Sequence, residues 1–282
     1  MRPVAARGRR LWGLAGLATA ASLAIPGGWL ITSAGMPAHG LAQRDAVTRV
    51  IVVRQPVTTL TVQSDGAPVK VTAGPVHRVR VTETILYDPQ GGGPPVVPQT
   101  VSRGILTLAG PQCDCWVSFA VTVPPGLGVA VNTEGGSIAV SGVTGANLDS
   151  GGGPVRATRI SGHLIVTTDD GAVAVSGLTG PLDADTGGGP LLASGVDTAT
   201  ATVVTSGGQA RIGFAAAPEA VFVSTGGGAV ALTVPGGPYA LTASTYGGSD
   251  AVRIVTSPSA GRSITVTTGG GPLRIEPPRA AG

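Results

Sequence analysis

The sequence predicts an all-β fold: a parallel β-helix, or β-solenoid, of about 18–20-residue coils, preceded by one N-terminal apolar helix. Three observations carry that prediction. A glycine turn recurs eight times at a nearly constant interval, as a double glycine in seven units and as Asp170-Gly171 in the third. Apolar residues alternate with others on both sides of each turn. One uncharged stretch near the N-terminus is long enough to cross a bilayer. Gly and Pro number 46 and 23 in 282 residues, a content that signals disorder unless a period underlies it. Here a period does.

Residues 1–10 form a basic end, with Arg2, Arg7, Arg9 and Arg10, expected on the cytoplasmic side. Residues 11–31, Leu11 to Ile31, carry no charge and read as a transmembrane anchor, so the membrane is the first expected partner. Pro26-Gly27-Gly28 interrupts this run. The alternative is a cleaved signal segment, with Leu11–Ile25 as its apolar part. In either case the arginines stay inside and the chain beyond about residue 40 lies outside. The net charge is +3. Four of the 18 basic residues precede the apolar run, leaving 14 against 15 acidic ones. Lys70 is the only lysine. That balance excludes nucleic acid as a partner, because phosphate neutralisation needs an excess of cations.

Residues 32–49 read as a linker and 50–127 as atypical first coils that also cover the end of the stack. Leu60, Val62, Val69 and Val71 flank Ser64-Asp65-Gly66 like a divergent coil. Strands are expected at Val79–Leu86, Val101–Leu108 and Val117–Val123, with Asp88–Gln99 as an excursion loop. Cys113 and Cys115 are the only cysteines. In an exported chain a disulfide between them competes with two free thiols, since the ring would be very small. A metal site is not expected, because His39, His77 and His163 offer no ligand spacing.

Residues 128–277 hold the regular repeat, and 278–282 a short tail. The second glycines of the turns are Gly136, Gly153, Gly171, Gly189, Gly208, Gly228, Gly248 and Gly271. Their spacings are 17, 18, 18, 19, 20, 20 and 23 residues. Seven and five residues before each anchor, and two and four after it, stand apolar residues in every slot but that of Asp250. Two short strands per unit, each with one buried face, follow from that pattern. One unit holds too few aliphatics for a core, so the units must stack. An antiparallel sandwich also uses short strands, but gives no reason for identical slots to recur.

Each part of the unit has a task. The anchors are expected to allow positive φ and close approach of stacked turns. A hydroxyl residue stands three positions before every anchor, from Thr133 and Ser150 to Thr268, placed to bond the turn. Pro154, Pro190 and Pro272 follow their anchors where a strand begins.

With these residues in view, the chain resembles the bacterial putative-adhesin β-strand-repeat family, a domain of unknown function, and is similar to head domains of putative auto-transporter adhesins. The apolar N-terminal segment, Cys113 and Cys115, the turn Val123–Gly126 and the Thr-x-Gly-Gly units carry the likeness, over roughly residues 50–275. The resemblance implies an exported or membrane-anchored β-repeat protein. Many members place a charged residue after the glycine turn, often Asp; here that position is mostly Pro, Ala or Ser.

Enzymatic chemistry on such a scaffold needs clustered carboxylates on one outward face. Asp149, Asp183 and Asp185 are the best candidates, with Asp149 two coils from the others. Arg156, Arg211 and Arg274 fall on the second strand of their units, and His163 in a connector at the surface. A Gly-Lys-Ser/Thr phosphate loop and a calcium nonapeptide are both lacking. Asp250 reads as a register slip, with Val252 and Ile254 refilling its slots. Phe222, Tyr239 and Tyr246 fall in adjacent coils and form a candidate stacking patch for sugar. The expected function is therefore a non-catalytic cell-envelope protein, without cofactor or metal, that binds a surface glycan or protein or acts as a spacer. A carbohydrate-active lyase or hydrolase, or an envelope-maintenance accessory, is the alternative.

Overall fold

A computed structural model describes residues 44–279, and among them regular structure is β apart from one 3-10 turn at Pro89–Gly91. The expected apolar helix over 11–31 lies outside the described residues. The N-terminal region supplies β1 (Asp45–Val52), β2 (Thr59–Ser64), β3 (Val69–Ala73), β4 (Arg80–Tyr87), β5 (Gln99–Ser102), β6 (Ile105–Ala109) and β7 (Cys115–Val123). The first four regular units supply β8 (Gly128–Thr133) and β9 (Ile138–Ser141), β10 (Gly145–Ser150) and β11 (Val155–Ile160), β12 (Leu164–Thr168) and β13 (Val173–Leu178), β14 (Leu182–Thr186) and β15 (Leu191–Val196). The last four supply β16 (Thr200–Thr205) and β17 (Ala210–Phe214), β18 (Ala220–Thr225) and β19 (Val230–Thr233), β20 (Ala240–Ser244) and β21 (Asp250–Val252), β22 (Ser263–Thr268) and β23 (Leu273–Glu276).

These strands form two long, mostly parallel sheets. Sheet A has 12 strands in the order β1-β4-β7-β3-β9-β11-β13-β15-β17-β19-β23-β21. Sheet B has 11, in the order β20-β22-β18-β16-β14-β12-β10-β8-β2-β6-β5. Every regular unit sends its first strand to sheet B and its second to sheet A, so like slots of successive units pair. Val131, Leu148, Val166, Ala184, Val203, Val223 and Val266 make one such ladder across sheet B. All seven are buried. At about 1.5–3 kcal/mol for each fully buried Val or Leu, such ladders are the main favourable term in a chain with so few large side chains.

The glycine anchors act by close approach. A Cβ built on Gly153 would overlap the carbonyl oxygen of Gly136, and the same holds for Gly171 over Gly153, Gly189 over Gly171, Gly208 over Gly189 and Gly228 over Gly208. None of the eight anchors has positive φ, contrary to expectation; in two units that conformation falls on the preceding residue, Gly247 or Gly270. The hydroxyl residues close the same turns. Thr133, Ser150, Thr186, Thr205, Thr225, Thr245 and Thr268 each donate to the carbonyl of their own anchor at 2.6–3.0 Å. In the unit carrying Asp170 the sense reverses, and Thr168 Oγ1 accepts from the Gly171 N–H at 3.1 Å.

Four expectations are corrected. First, the divergent coil around Ser64-Asp65-Gly66 is a ninth unit whose anchor is not a glycine: Ser64 donates to the Ala67 carbonyl at 3.0 Å, and a Cβ on Gly136 would strike that carbonyl. Ala67 is the anchor there, because that unit lies at the start of the glycine column. Second, Val101–Leu108 is a hairpin, turned at Arg103 and Gly104, both at positive φ, with β5 antiparallel to β6. β1 and β4 are antiparallel too, and β1 begins at Asp45, inside the span read as linker.

Third, the last two units stack out of chain order. β22 and β23 pair with β18 and β19, while β20 and β21 pair beyond them. Gly271 accordingly sits over Gly228, and Gly248 over Gly271. Fourth, Asp250 involves no register slip. It pairs with Leu273, and Val252 with Ile275. Asp250 is exposed because its unit is the last of the stack. A polar residue suits an edge that has no further strand to cover it.

Candidate functional site

The outward face of sheet B carries three acids of the repeat, Asp149, Asp183 and Asp185. Asp149, Thr167 and Asp185 are in-register neighbours, as are Asn147, Ile165 and Asp183. Asp149 and Asp185 therefore stand two strands, or about 10 Å, apart. Each row has its own partners. Asn132 Nδ2 donates to Asp149 Oδ2 at 3.0 Å from the preceding strand. His163 Nε2 and Asp183 Oδ2 lie 2.7 Å apart, both side chains about half exposed (48% and 49%).

That last pair was missed in the sequence, where His163 seemed confined to a connector. It immediately precedes β12, on the same outward face as Ile165, and Ile165 pairs with Asp183. The diagonal of a parallel ladder brings the two together. A spacing of 20 residues, one unit plus two, was the available signal. Beside the row lies an open groove lined by Gln63, Asn132, Asn147, Asp149 and Thr167. Its polar side chains are hydrogen-bond donors and acceptors on a flat surface, suited to contact rather than enclosure.

The aromatic residues do not converge. Tyr239 is fully buried, and its hydroxyl donates to the Pro235 carbonyl at 2.6 Å. Phe222 and Tyr246 are exposed, at 42% and 77%, but the β22–β23 unit stands between their strands. The three-residue stacking patch is therefore not formed. Cys113 and Cys115 are bonded to each other, with Cα atoms 5.2 Å apart, at the start of β7.

Glu83 also escaped the sequence reading. On β4 it points between the sheets at the N-terminal end of the stack and is 1% exposed. Burial raises its pKa, and the Arg49 guanidinium on the neighbouring strand offsets part of that rise. Arg49 itself donates to the carbonyls of Pro95 at 3.0 Å and Pro94 at 3.4 Å. Glu83 Oε1 has no hydrogen-bond partner among the described residues. Glu83 shares the inward face of β4 with Val81 and Ile85, and an isolated Glu in a strand carries no sequence mark of burial. Among the described residues no group of three or more His, Cys, Asp or Glu is placed to hold a metal.

No protein-family model matches the sequence. No curated protein matches it either. Among solved structures, the chain is similar to a putative adhesin from Bacteroides fragilis, at 15% identity and a TM-score of 0.41, covering 84% of this chain and 99% of that one. It is similar to a putative adhesin from Parabacteroides merdae, at 14% identity and a TM-score of 0.42, covering 83% and 96%. A putative lipid binding protein from Parabacteroides distasonis stands at 10% identity and a TM-score of 0.41, covering 83% and 97%. Likeness of this degree assigns neither ligand nor activity to the chain.

Proposed function

We propose that the chain is a non-catalytic, adhesin-like β-solenoid of the cell envelope, anchored through residues 11–31 and displayed outside the membrane to bind or space surface components. One observation carries the reading: like slots of nine stacked units pair strand to strand, so each outer face repeats its side chains at one strand spacing along a sheet of 11 or 12 strands. Such a surface suits extended contact with a polymer or another surface. Among the described residues no helix is long and apolar enough to cross a membrane; the uncharged run of residues 11–31 supports the anchor in this reading.

Fractionation of cells, followed by protease treatment of intact cells, tests this reading. The chain is expected with the membranes, and external protease should remove everything beyond the apolar segment. Recovery in the cytosol with an intact N-terminus would defeat it. A mature N-terminus between residues 34 and 45 would mean secretion instead of anchoring.

The His163–Asp183 pair favours a second reading, a carbohydrate-active enzyme, because an imidazole beside a carboxylate can exchange protons with a substrate. That reading requires glycan cleavage lost on Asp183→Asn or Asp185→Asn. The scaffold reading expects no turnover, and binding indifferent to both substitutions.

A further inference from the structure

The two outer faces differ in charge. The strands of sheet B contain no lysine or arginine, and they carry Asp149, Asp183 and Asp185. On sheet A, Lys70, Arg156, Arg211 and Arg274 are all exposed and stand in a single outward column. The register shows this directly. Lys70 and Arg156 both pair with Ala139. Ala174 and Leu192 fill the two steps between Arg156 and Arg211. Ala231 fills the one between Arg211 and Arg274. At about 4.8 Å per strand, the cations follow one another at roughly 10, 14 and 10 Å. Of these four cations, only Arg274 has a carboxylate of the described residues within ion-pair distance, Glu276 at 3.2 Å. A near-neutral composition thus conceals a segregated one, with one basic face and one acidic.

The spacers and flanks add to this. Ala139, Ala174 and Ala231 are low, so a chain laid along the column could approach the backbone at those steps, and Leu192, 51% exposed, offers an apolar contact between Arg156 and Arg211. Two residues further along, β3, β9, β11, β13 and β15 carry a row of hydroxyls, Thr72, Ser141, Thr158, Ser176 and Ser194, while Gly213, Thr233 and Glu276 hold that position on β17, β19 and β23. We propose that the outer face of sheet A binds a linear acidic polysaccharide lying along the stack, its carboxylates on Lys70, Arg156 and Arg211 and its hydroxyls on the Ser/Thr row. This names the partner of the displayed scaffold proposed above and rests on that reading. A single-stranded nucleic acid is disfavoured, since the column offers no aromatic ring for base stacking. A polyphosphate would use the cations and accept from the Ser/Thr hydroxyls, but it has no hydroxyl to donate back to them.

The test uses the full chain in detergent micelles, with de-esterified polygalacturonate as the probe and dextran and inorganic polyphosphate as comparisons. Polygalacturonate is expected to bind at low salt, to be released as salt rises, and to bind at least about tenfold more weakly to the triple variant Lys70→Gln, Arg156→Gln, Arg211→Gln. Dextran should not bind. Asp183→Asn with Asp185→Asn, on the opposite face, should leave affinity unchanged. None of these positions is buried, so the variants should keep the wild-type melting temperature within a few degrees, which separates lost binding from lost fold. Undiminished binding by the folded triple variant, equal binding of dextran, or tighter binding of polyphosphate would each overturn the proposal. Failure here with export and surface display intact removes the ligand and leaves the scaffold reading; a cytosolic chain removes the scaffold reading itself.

Discussion

The Cα of Gly189 stands over the carbonyl oxygen of Gly171, so close that a Cβ on Gly189 would overlap it. The obstruction is backbone, which cannot swing aside as a side chain would. Gly189→Ala is therefore expected to destabilise by more than about 2 kcal/mol, through strain and forced separation of two turns. Thr167→Val, exposed on sheet B, should stay within about 0.5 kcal/mol. Denaturant unfolding of both variants checks the contrast, and equal effects would contradict the stacking register.

Thr205 supplies a second measure of the same turn. Its buried hydroxyl donates to the Gly208 carbonyl at 2.6 Å. Thr205→Val preserves shape and removes the donor, leaving that carbonyl short of a partner. A loss of about 1–3 kcal/mol is expected, against almost none for Thr167→Val. Similar midpoints for the two valine variants would mean that the hydroxyl row does not hold the turns.

The central units were legible because one rule repeats in them: alternation names the inward slots, and the anchor names the turn. Val166 and Ala184 could be placed opposite each other from spacing alone. The ends were not legible for the same reason. Ala67 hides a ninth anchor, because an anchor needs glycine only where another turn presses on it. The order of the last two units depends on how residues 234–262 cross, and no local pattern encodes that. The diagonal pair His163–Asp183 and the inward Glu83 arise between units or across sheets, where linear spacing is silent. The charge asymmetry of the two faces follows only once each strand is assigned to its sheet.

Glu83 makes stability depend on pH. Its folded pKa lies above the ordinary value of 4.5, mainly because burial disfavours the carboxylate. Between that value and the raised one, the folded state binds more proton than the unfolded state. Stability is therefore fully present below about pH 4.5 and falls as pH rises through the folded pKa. Glu83→Gln removes this slope. Its melting temperature should exceed that of the wild type at about pH 8, with the gap closing toward about pH 4. A gap that widened in acid would reverse the assignment.

The Cys113–Cys115 bond closes a ring of very few residues at the start of β7. Such a short loop constrains the unfolded chain little, so reduction should cost less than about 2 kcal/mol. Alkylation of the unfolded, unreduced protein should leave both cysteines unlabelled, and two labels should appear after reductant. Full labelling without reductant would mean free thiols.

Asp250 occupies the apolar slot of the outermost unit, opposite Leu273 and exposed. Its neighbours on the edge strands include Val252, 37% exposed. An open strand edge with apolar slots is a template for pairing with another chain, and a charge in that slot opposes it. Asp250→Val completes the repeat pattern, yet no further unit covers the new side chain. It should therefore change unfolding free energy by no more than about 0.5 kcal/mol while promoting end-to-end association. Light scattering after size exclusion should show concentration-dependent dimers or larger species for the variant and none for the parent chain. A variant that is clearly more stable and equally monodisperse would mean that position 250 faces the core after all.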